Sequence, residues 1–137
     1  MNSTTVPFLR YADADAAITW LCRAFGFQVF LKVPGAGSDV KHARLTLETN
    51  LVMLASLGRD GPLEKLFKSP AEIGGITQAI SIFVEDPDRI YQSALAAGAQ
   101  LLGPIADFEL GGRTFCCRDL EGHAWLFTSH DPWKKIW

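Results

Sequence analysis

Two arginines and a histidine lie in segments that are mostly apolar, and side chains of these two kinds can bind an anion. Arg10 follows the apolar letters "VPFL", and His42 and Arg44 alternate with apolar residues in "KHARLTL". A guanidinium binds a carboxylate or a phosphate through two parallel N–H donors, which makes Arg10 a candidate anchor for an acidic ligand group. The alternatives are a surface arginine paired with Asp or Glu and, for His42 and Arg44, a solvated strand edge.

Metal and nucleophile chemistry have little support in the sequence. His42, His123 and His130 share no spacing typical of zinc ligands. Cys116 and Cys117 are adjacent, so they face opposite ways on one strand, and no histidine is assigned beside them to lower a thiol pKa. We predict that these thiols are buried and structural. No serine lies in a Gly-x-Ser-x-Gly nucleophile motif.

His123, in the stretch "RDLEGHAWLF", could supply a catalytic imidazole or could simply begin a strand. Side chains alternate along a strand, so His123, Trp125 and Phe127 share one face. Because buried polar groups usually find partners, we predict a structural histidine that is hydrogen-bonded near the turn. Catalysis by His123 is the alternative.

Composition limits the classes of partner. The chain has 137 residues, of which 48% are hydrophobic, and its 13 basic and 15 acidic residues are interspersed. This pattern predicts a small-molecule partner and no nucleic-acid or membrane surface. Three cysteines, an odd number, argue against a disulfide framework. The first residues lack a signal-peptide pattern, and no run approaches the roughly 18 apolar residues of a membrane span, so we predict a cytoplasmic protein.

An internal repeat defines the elements that must position these side chains. The stretches "VPFLRYADADAAITWLCRAFGFQVF" and "AISIFVEDPDRIYQSALAAGAQLL" each predict a strand, a helix and a strand. Asp13 and Asp86 stand where helix N-caps belong. Two more strands follow each unit, which predicts β-α-β-β-β modules over residues 6–57 and 79–129. The connection, residues 58–77, is rich in Gly and Pro and long enough to cover a binding site.

The tandem modules, opened by "YADADAAITWLCRAFGF" and closed by "RDLEGHAWLF", resemble the vicinal oxygen chelate superfamily, which includes glyoxalase I, bleomycin resistance proteins and extradiol dioxygenases. The resemblance covers nearly the whole chain. It implies a single α+β domain over residues 1–137, in which two modules form a curved mixed sheet around a cleft with the helices on the convex side. It also implies a homodimer, because in the drug-resistance branch each cleft draws on two chains.

The same resemblance locates a metal site and indicates its loss. In members that use a metal, the four ligands fall at positions that here hold Val6, Met53, Ala79 and Leu126, all of them apolar. We therefore predict no metal or other cofactor and a cup with an apolar floor. The predicted ligand-binding residues are the strand side chains that would face this cup: Phe8, Arg10, His42, Arg44, Met53, Ser81, Phe83 and Leu126.

These features favour a metal-free protein that binds or sequesters a small organic molecule, apolar or aromatic and possibly anionic, like the drug-resistance branch. The alternative is a lyase, isomerase or dioxygenase-type enzyme of the same superfamily. Such an enzyme would use a displaced metal or acid–base catalysis by Arg10, His42 or Glu48. The predicted cup offers Arg10 no protein partner, so Arg10→Met should remove anion binding while stability stays unchanged or improves.

Overall fold

A computed structural model describes residues 5–135. Within that range no helix has the length and apolar character needed to cross a membrane. A 3-10 turn at Glu64–Leu66 lies in the connection between the two halves. The other elements, in chain order, are β1 (Phe8–Tyr11), α1 (Ala14–Phe25), β2 (Gln28–Pro34), β3 (Val40–Leu47), β4 (Asn50–Ser56), α2 (Pro70–Ile73), β5 (Ala79–Phe83), α3 (Pro87–Ala96), β6 (Gln100–Leu101), β7 (Ala106–Asp107), β8 (Arg113–Arg118) and β9 (Ala124–Thr128).

The strands form two mixed sheets, one from each half of the chain. Their orders are β1-β4-β3-β2 and β5-β9-β8-β6, and the short β7 pairs with β8 outside this path. In each sheet the first strand of the half runs parallel to the last, whereas the remaining pairs are antiparallel. The predicted α+β class with tandem β-α-β-β-β modules is confirmed, with β7 as an addition to the second module.

The two long helices begin at the aspartates that the sequence indicated. The Asp13 carboxylate accepts a hydrogen bond from the Ala16 N–H at 3.0 Å, and the Asp86 carboxylate accepts one from the Arg89 N–H at 3.2 Å. Each carboxylate satisfies a backbone donor that the helix itself leaves free. Helix α1 ends at Gly26, whose φ of 86° is the left-handed conformation that glycine adopts without steric cost.

One apolar core joins both halves. The ring of Phe25, at the end of α1, packs 5.3 Å from Trp125 and 4.6 Å from Phe127, which belong to β9 in the other half. The helices are also linked directly, because Trp20 Nε1 donates to the Ala97 carbonyl at 3.0 Å. The halves are therefore not separate units, since they share buried side chains as well as hydrogen bonds.

Reciprocal hydrogen bonds hold the two halves together. Asn50 Nδ2, at the start of β4, donates to the Phe83 carbonyl of β5 at 3.0 Å. The matching side chain of the second half, His123 just before β9, places Nε2 3.0 Å from the Arg10 carbonyl of β1. Since a carbonyl only accepts, His123 Nε2 carries the proton in this contact. Asn50 and His123 thus make equivalent contacts in opposite directions.

Two glutamates repeat this exchange at the helix starts. Both carboxylate oxygens of Glu48 accept from the Glu85 N–H, at 3.2 and 3.3 Å, beside the start of α3. The Glu121 carboxylate accepts from the Ala12 and Asp13 N–H groups, at 2.7 and 2.9 Å, beside the start of α1. Each hairpin turn therefore completes the helix entry of the opposite half.

A buried carboxylate lies at the junction of the halves. Asp119 is 6% exposed, and its Oδ2 accepts from Tyr11 Oη at 2.7 Å and from Trp125 Nε1 at 3.0 Å. Its Oδ1 accepts from the Glu121 and His123 N–H groups at 3.0 and 3.1 Å. Burial, followed by the charge of Asp119, raises the pKa of Tyr11 well above its ordinary value, so the phenol keeps its proton and donates.

Candidate ligand-binding cleft

A cleft of about 1130 Å³ is lined by residues of β1 from the first sheet and of β5 from the second. This volume is of the order expected for a small-molecule site. The side chains that β5 presents to it are Ala79, Ser81 and Phe83, all exposed, whereas Ile82 points into the core. Leu126 of β9 also lines the cleft. This orientation agrees with the predicted alternation, and ligand binding by Ser81, Phe83 and Leu126 stays a prediction.

The connection between the halves forms one wall of the cleft. Its apolar side chains Leu63, Phe67, Ile73 and Ile76 all line the cavity. The short helix α2 is fixed by a capping box, in which the Ser69 hydroxyl accepts from the Glu72 N–H while the Glu72 carboxylate accepts from the Ser69 N–H. The connection is therefore an ordered part of the site.

Arg10 lines the cleft but is already paired. Its Nε donates to Glu64 Oε2 at 2.8 Å, and its Nη2 donates to Glu64 Oε1. Its Nη1 donates to the Leu9 carbonyl at 3.0 Å. The guanidinium carbon lies 4.0 Å from the Phe8 ring centre and 4.5 Å from that of Phe67. The guanidinium therefore makes cation–π contacts with both aromatic rings.

This arrangement corrects the expectation that Arg10 has no protein partner. Glu64 supplies a bidentate carboxylate, and the hydrogen bond from Arg10 holds the pKa of Glu64 below its ordinary value. Arg10 is 4% exposed, and its hydrogen-bonding nitrogens all have protein acceptors. It fastens the 3-10 turn of the connection to β1, and in this state it presents no free fork to a ligand.

Three of the remaining predicted residues, Met53, His42 and Arg44, lie on the cleft face of the first sheet but beyond the cavity itself. Phe8 pairs with Met53, and Met53 pairs with Arg44, so these three side chains form one row across β1, β4 and β3. His42 lies beside this row, with its ring centre 6.4 Å from that of Phe8. Phe8 lines the cavity, but Met53, His42 and Arg44 do not. The single predicted cup is therefore an open face with a deeper cavity at one side.

The four positions that the family resemblance assigns to metal ligands carry side chains that do not fit a divalent ion. Val6, Ala79 and Leu126 line the cavity, and Met53 lies on the adjoining face, so the only possible donor among them is a thioether. A hard divalent ion takes oxygen or imidazole ligands instead. Across residues 5–135 there is no group of three or more His, Cys, Asp or Glu side chains that could hold a metal ion.

The other reactive groups have structural contacts. His123 lines the cleft, but it bridges to β1 and packs edge-on against Tyr11 with ring centres 4.8 Å apart. Its side chain makes a structural hydrogen bond, as predicted, but the partner is the Arg10 carbonyl of the other half and not a group near the turn. Cys116 also lines the cleft, where burial raises its pKa, and burial raises the pKa of Cys117 to about 12. Both therefore remain thiols near neutral pH.

Several lining residues were missed because they lie outside the strands that periodicity identifies. Glu64 and Phe67 belong to the connection, and the aromatic groups Phe108, His130 and Trp133 belong to the loop before β8 and to the tail. Trp133 is 90% exposed beside the cleft. The excess of apolar residues in a Gly- and Pro-rich connection was a usable signal, because apolar side chains in a loop indicate that the loop packs against another surface or against a ligand.

The chain is similar to known proteins over most of its length. A sequence model of the Glyoxalase/Bleomycin resistance protein/Dioxygenase superfamily matches residues 2–127. The protein Mb0911c of Mycobacterium bovis is 34% identical over 121 residues, which are 87% of this chain and 78% of that protein. The crystal structure of TioX from Micromonospora sp. ML1 is 34% identical, with a TM-score of 0.76 over 94% of this chain and 99% of TioX. Lactoylglutathione lyase from Agrobacterium tumefaciens shares the fold at 15% identity, with a TM-score of 0.65 over 98% of both chains.

Proposed function

Because the chain belongs to the glyoxalase/bleomycin resistance protein/dioxygenase superfamily, we propose that it binds a small organic molecule in the cleft without a metal ion and releases it chemically unchanged. The ligand has an apolar or aromatic body. The observation that carries this proposal is the apolar character of all four positions that correspond to metal ligands, on the walls and rim of a cleft of about 1130 Å³. Apolar side chains there supply a surface for an aromatic ring and no Lewis acid.

The candidate acid–base groups support binding over catalysis. Glu48 accepts the Glu85 N–H with both oxygens, and Arg10 is held by Glu64. His42 Nε2 accepts a hydrogen bond from Arg44 Nε at 3.0 Å, which ties up the nitrogen that a general base would use. Enzymatic conversion of a bound ligand, by a displaced metal or by acid–base chemistry, is the alternative.

Binding is tested with N-phenylnaphthylamine, an uncharged aromatic probe whose fluorescence rises in apolar surroundings. We expect saturable binding with one site per chain and recovery of the probe unchanged by mass spectrometry. Phe83→Asp, which places a carboxylate on the cleft wall, should weaken binding about tenfold, because the lost aromatic contact is of the order of 1–2 kcal/mol. Phe30→Asp is the matched control, since Phe30 is 70% exposed on β2 and does not line the cleft.

Three results would contradict the proposal. Two of them are the absence of saturable binding and equal weakening by Phe83→Asp and Phe30→Asp. The third is a stoichiometric divalent metal in protein purified without a metal-affinity tag, because that would return the chain to the metal-dependent enzymes of the superfamily.

We also propose that the chain forms a homodimer and acts in the cytoplasm. The rim of the cleft supports the dimer, since Trp133 is 90% exposed and a second copy would cover it. The cytoplasmic assignment rests on three free cysteines with no disulfide among them. Light scattering at micromolar concentration should give twice the 15.0 kDa chain mass, and the mass of one chain would contradict the dimer.

A further inference from the structure

Arg44 differs from Arg10 in having no protein counter-charge. Within residues 5–135 no carboxylate lies within ion-pair distance of Arg44. Its Nε donates to His42, and its two Nη groups have no protein acceptor there. No unpaired side-chain nitrogen of the described residues is buried, so the two Nη groups are open to solvent. They form a free fork of the kind that binds an oxyanion.

The surroundings of this fork are apolar. In the sheet register, Arg44 lies between Met53 of β4 and Leu31 of β2, and His42 lies opposite Val33 of β2. None of these neighbours can accept a hydrogen bond from a guanidinium with its side chain, apart from the weak thioether acceptor of Met53. A half-buried cation among apolar side chains is costly unless something negative pairs with it.

His42 accepts a hydrogen bond from Arg44 and keeps one hydrogen-bond donor of its own. Because Arg44 Nε can only donate, His42 Nε2 is the unprotonated nitrogen and Nδ1 carries the proton. Burial, followed by the charges of Arg44 and Arg10, lowers the pKa of His42, which keeps this neutral form at physiological pH. His42 thus retains an N–H donor on the side chain next to Arg44, and within residues 5–135 neither side chain forms an ion pair with a carboxylate.

We infer that Arg44, assisted by His42, is the site that binds the acidic group of the ligand, and that this group is a carboxylate, phosphate or sulfonate. The inference rests on the proposed function and specifies the ligand further, as a molecule that carries an acidic group. Phe8 lines the cleft and begins the row that ends at Arg44, so the ligand's apolar body lies over Phe8 while its acid reaches β3. Two strand spacings separate β1 from β3, about 10 Å, which calls for an aromatic acid of at least two rings.

The test compares two probes with the same aromatic body. Anilinonaphthalene sulfonate carries an acidic group, and N-phenylnaphthylamine lacks it. We expect the parent protein to prefer the sulfonate and Arg44→Gln to lose that preference, with a 10- to 100-fold weaker affinity for the sulfonate and an unchanged affinity for the neutral probe. Arg44→Lys should fall between them, because it keeps the charge without the fork.

Lys41→Gln is the matched control, because it removes the same charge from the neighbouring, exposed position of β3. A preference that survives in Arg44→Gln, or falls equally in Lys41→Gln, overturns the inference while leaving the proposed function intact if the neutral probe still binds. No binding of either probe overturns both. If Arg44→Gln leaves probe preference unchanged but dissociates a dimer, Arg44 recognises a second copy of the chain and the inference is also overturned.

Discussion

Replacing Asp119 with alanine is expected to lower the free energy of unfolding by about 3–5 kcal/mol, because each buried donor left without an acceptor costs roughly 1–3 kcal/mol. The substitution removes the acceptor for Tyr11 Oη and Trp125 Nε1, and both side chains are fully buried. It also frees two backbone N–H groups of the turn before β9. Urea unfolding followed by tryptophan fluorescence measures the change.

Two further variants serve as controls for the stability loss expected of Asp119→Ala. Tyr11→Phe removes one of the four donors to Asp119 and should cost only about 1 kcal/mol. Asp60→Ala changes an exposed aspartate and should stay within about 0.5 kcal/mol of the parent protein. If Asp119→Ala resembled Asp60→Ala, the carboxylate would not be the junction between the halves that its contacts indicate.

Replacing Arg10 with methionine should lower the free energy of unfolding by about 2–3 kcal/mol, the upper part of the range for hydrogen bonds to charged groups. This reverses the expectation from the sequence alone, because the lost guanidinium leaves the Glu64 carboxylate without the cation that it binds through both oxygens. Glu64 lies on a surface loop that water reaches, so the effect should be smaller than for a fully interior ion pair.

A double-mutant cycle measures the pair directly. Arg10→Met combined with Glu64→Leu should recover most of the stability lost by Arg10→Met alone, with a coupling energy of about 2 kcal/mol. Additive losses, without recovery, would show that the two side chains act independently. The double variant should also make the 3-10 turn around Glu64 more accessible to proteolysis, since that ion pair is what ties the turn to β1.

The fold and the facing of the cleft strands were predictable because they follow from local rules. The N-caps Asp13 and Asp86 mark the helices, and the alternation of Ala79, Ser81 and Phe83 determines which side of β5 is open. These signals depend on neighbours in the sequence and on the repeat of the module. The only long-range information that this prediction needs is the register of the strands in the sheet, and the pattern of apolar residues constrains that register too.

The partner of Arg10 was not predictable by these rules. Glu64 lies in a connection without periodicity, and its approach to β1 depends on the path of the whole loop. The role of His123 had a better signal, because Asn50 stands at the corresponding position of the first module and makes the corresponding contact. Comparing polar residues between the two halves would have indicated that both serve the junction.

The contacts that cross between the halves also bear on how such a chain could arise. Asn50 and His123 are separated by the same sequence distance as Glu48 and Glu121, and each pair exchanges equivalent bonds. Two copies of one ancestral module, related by a twofold axis, would make these contacts between separate chains. Fusion of two such copies would therefore require no new contacts, and the segment that joins them would be available to form a wall of the cleft. For the same reason, none of these bonds depends on which half comes first, so a chain permuted at the connection would retain all of them.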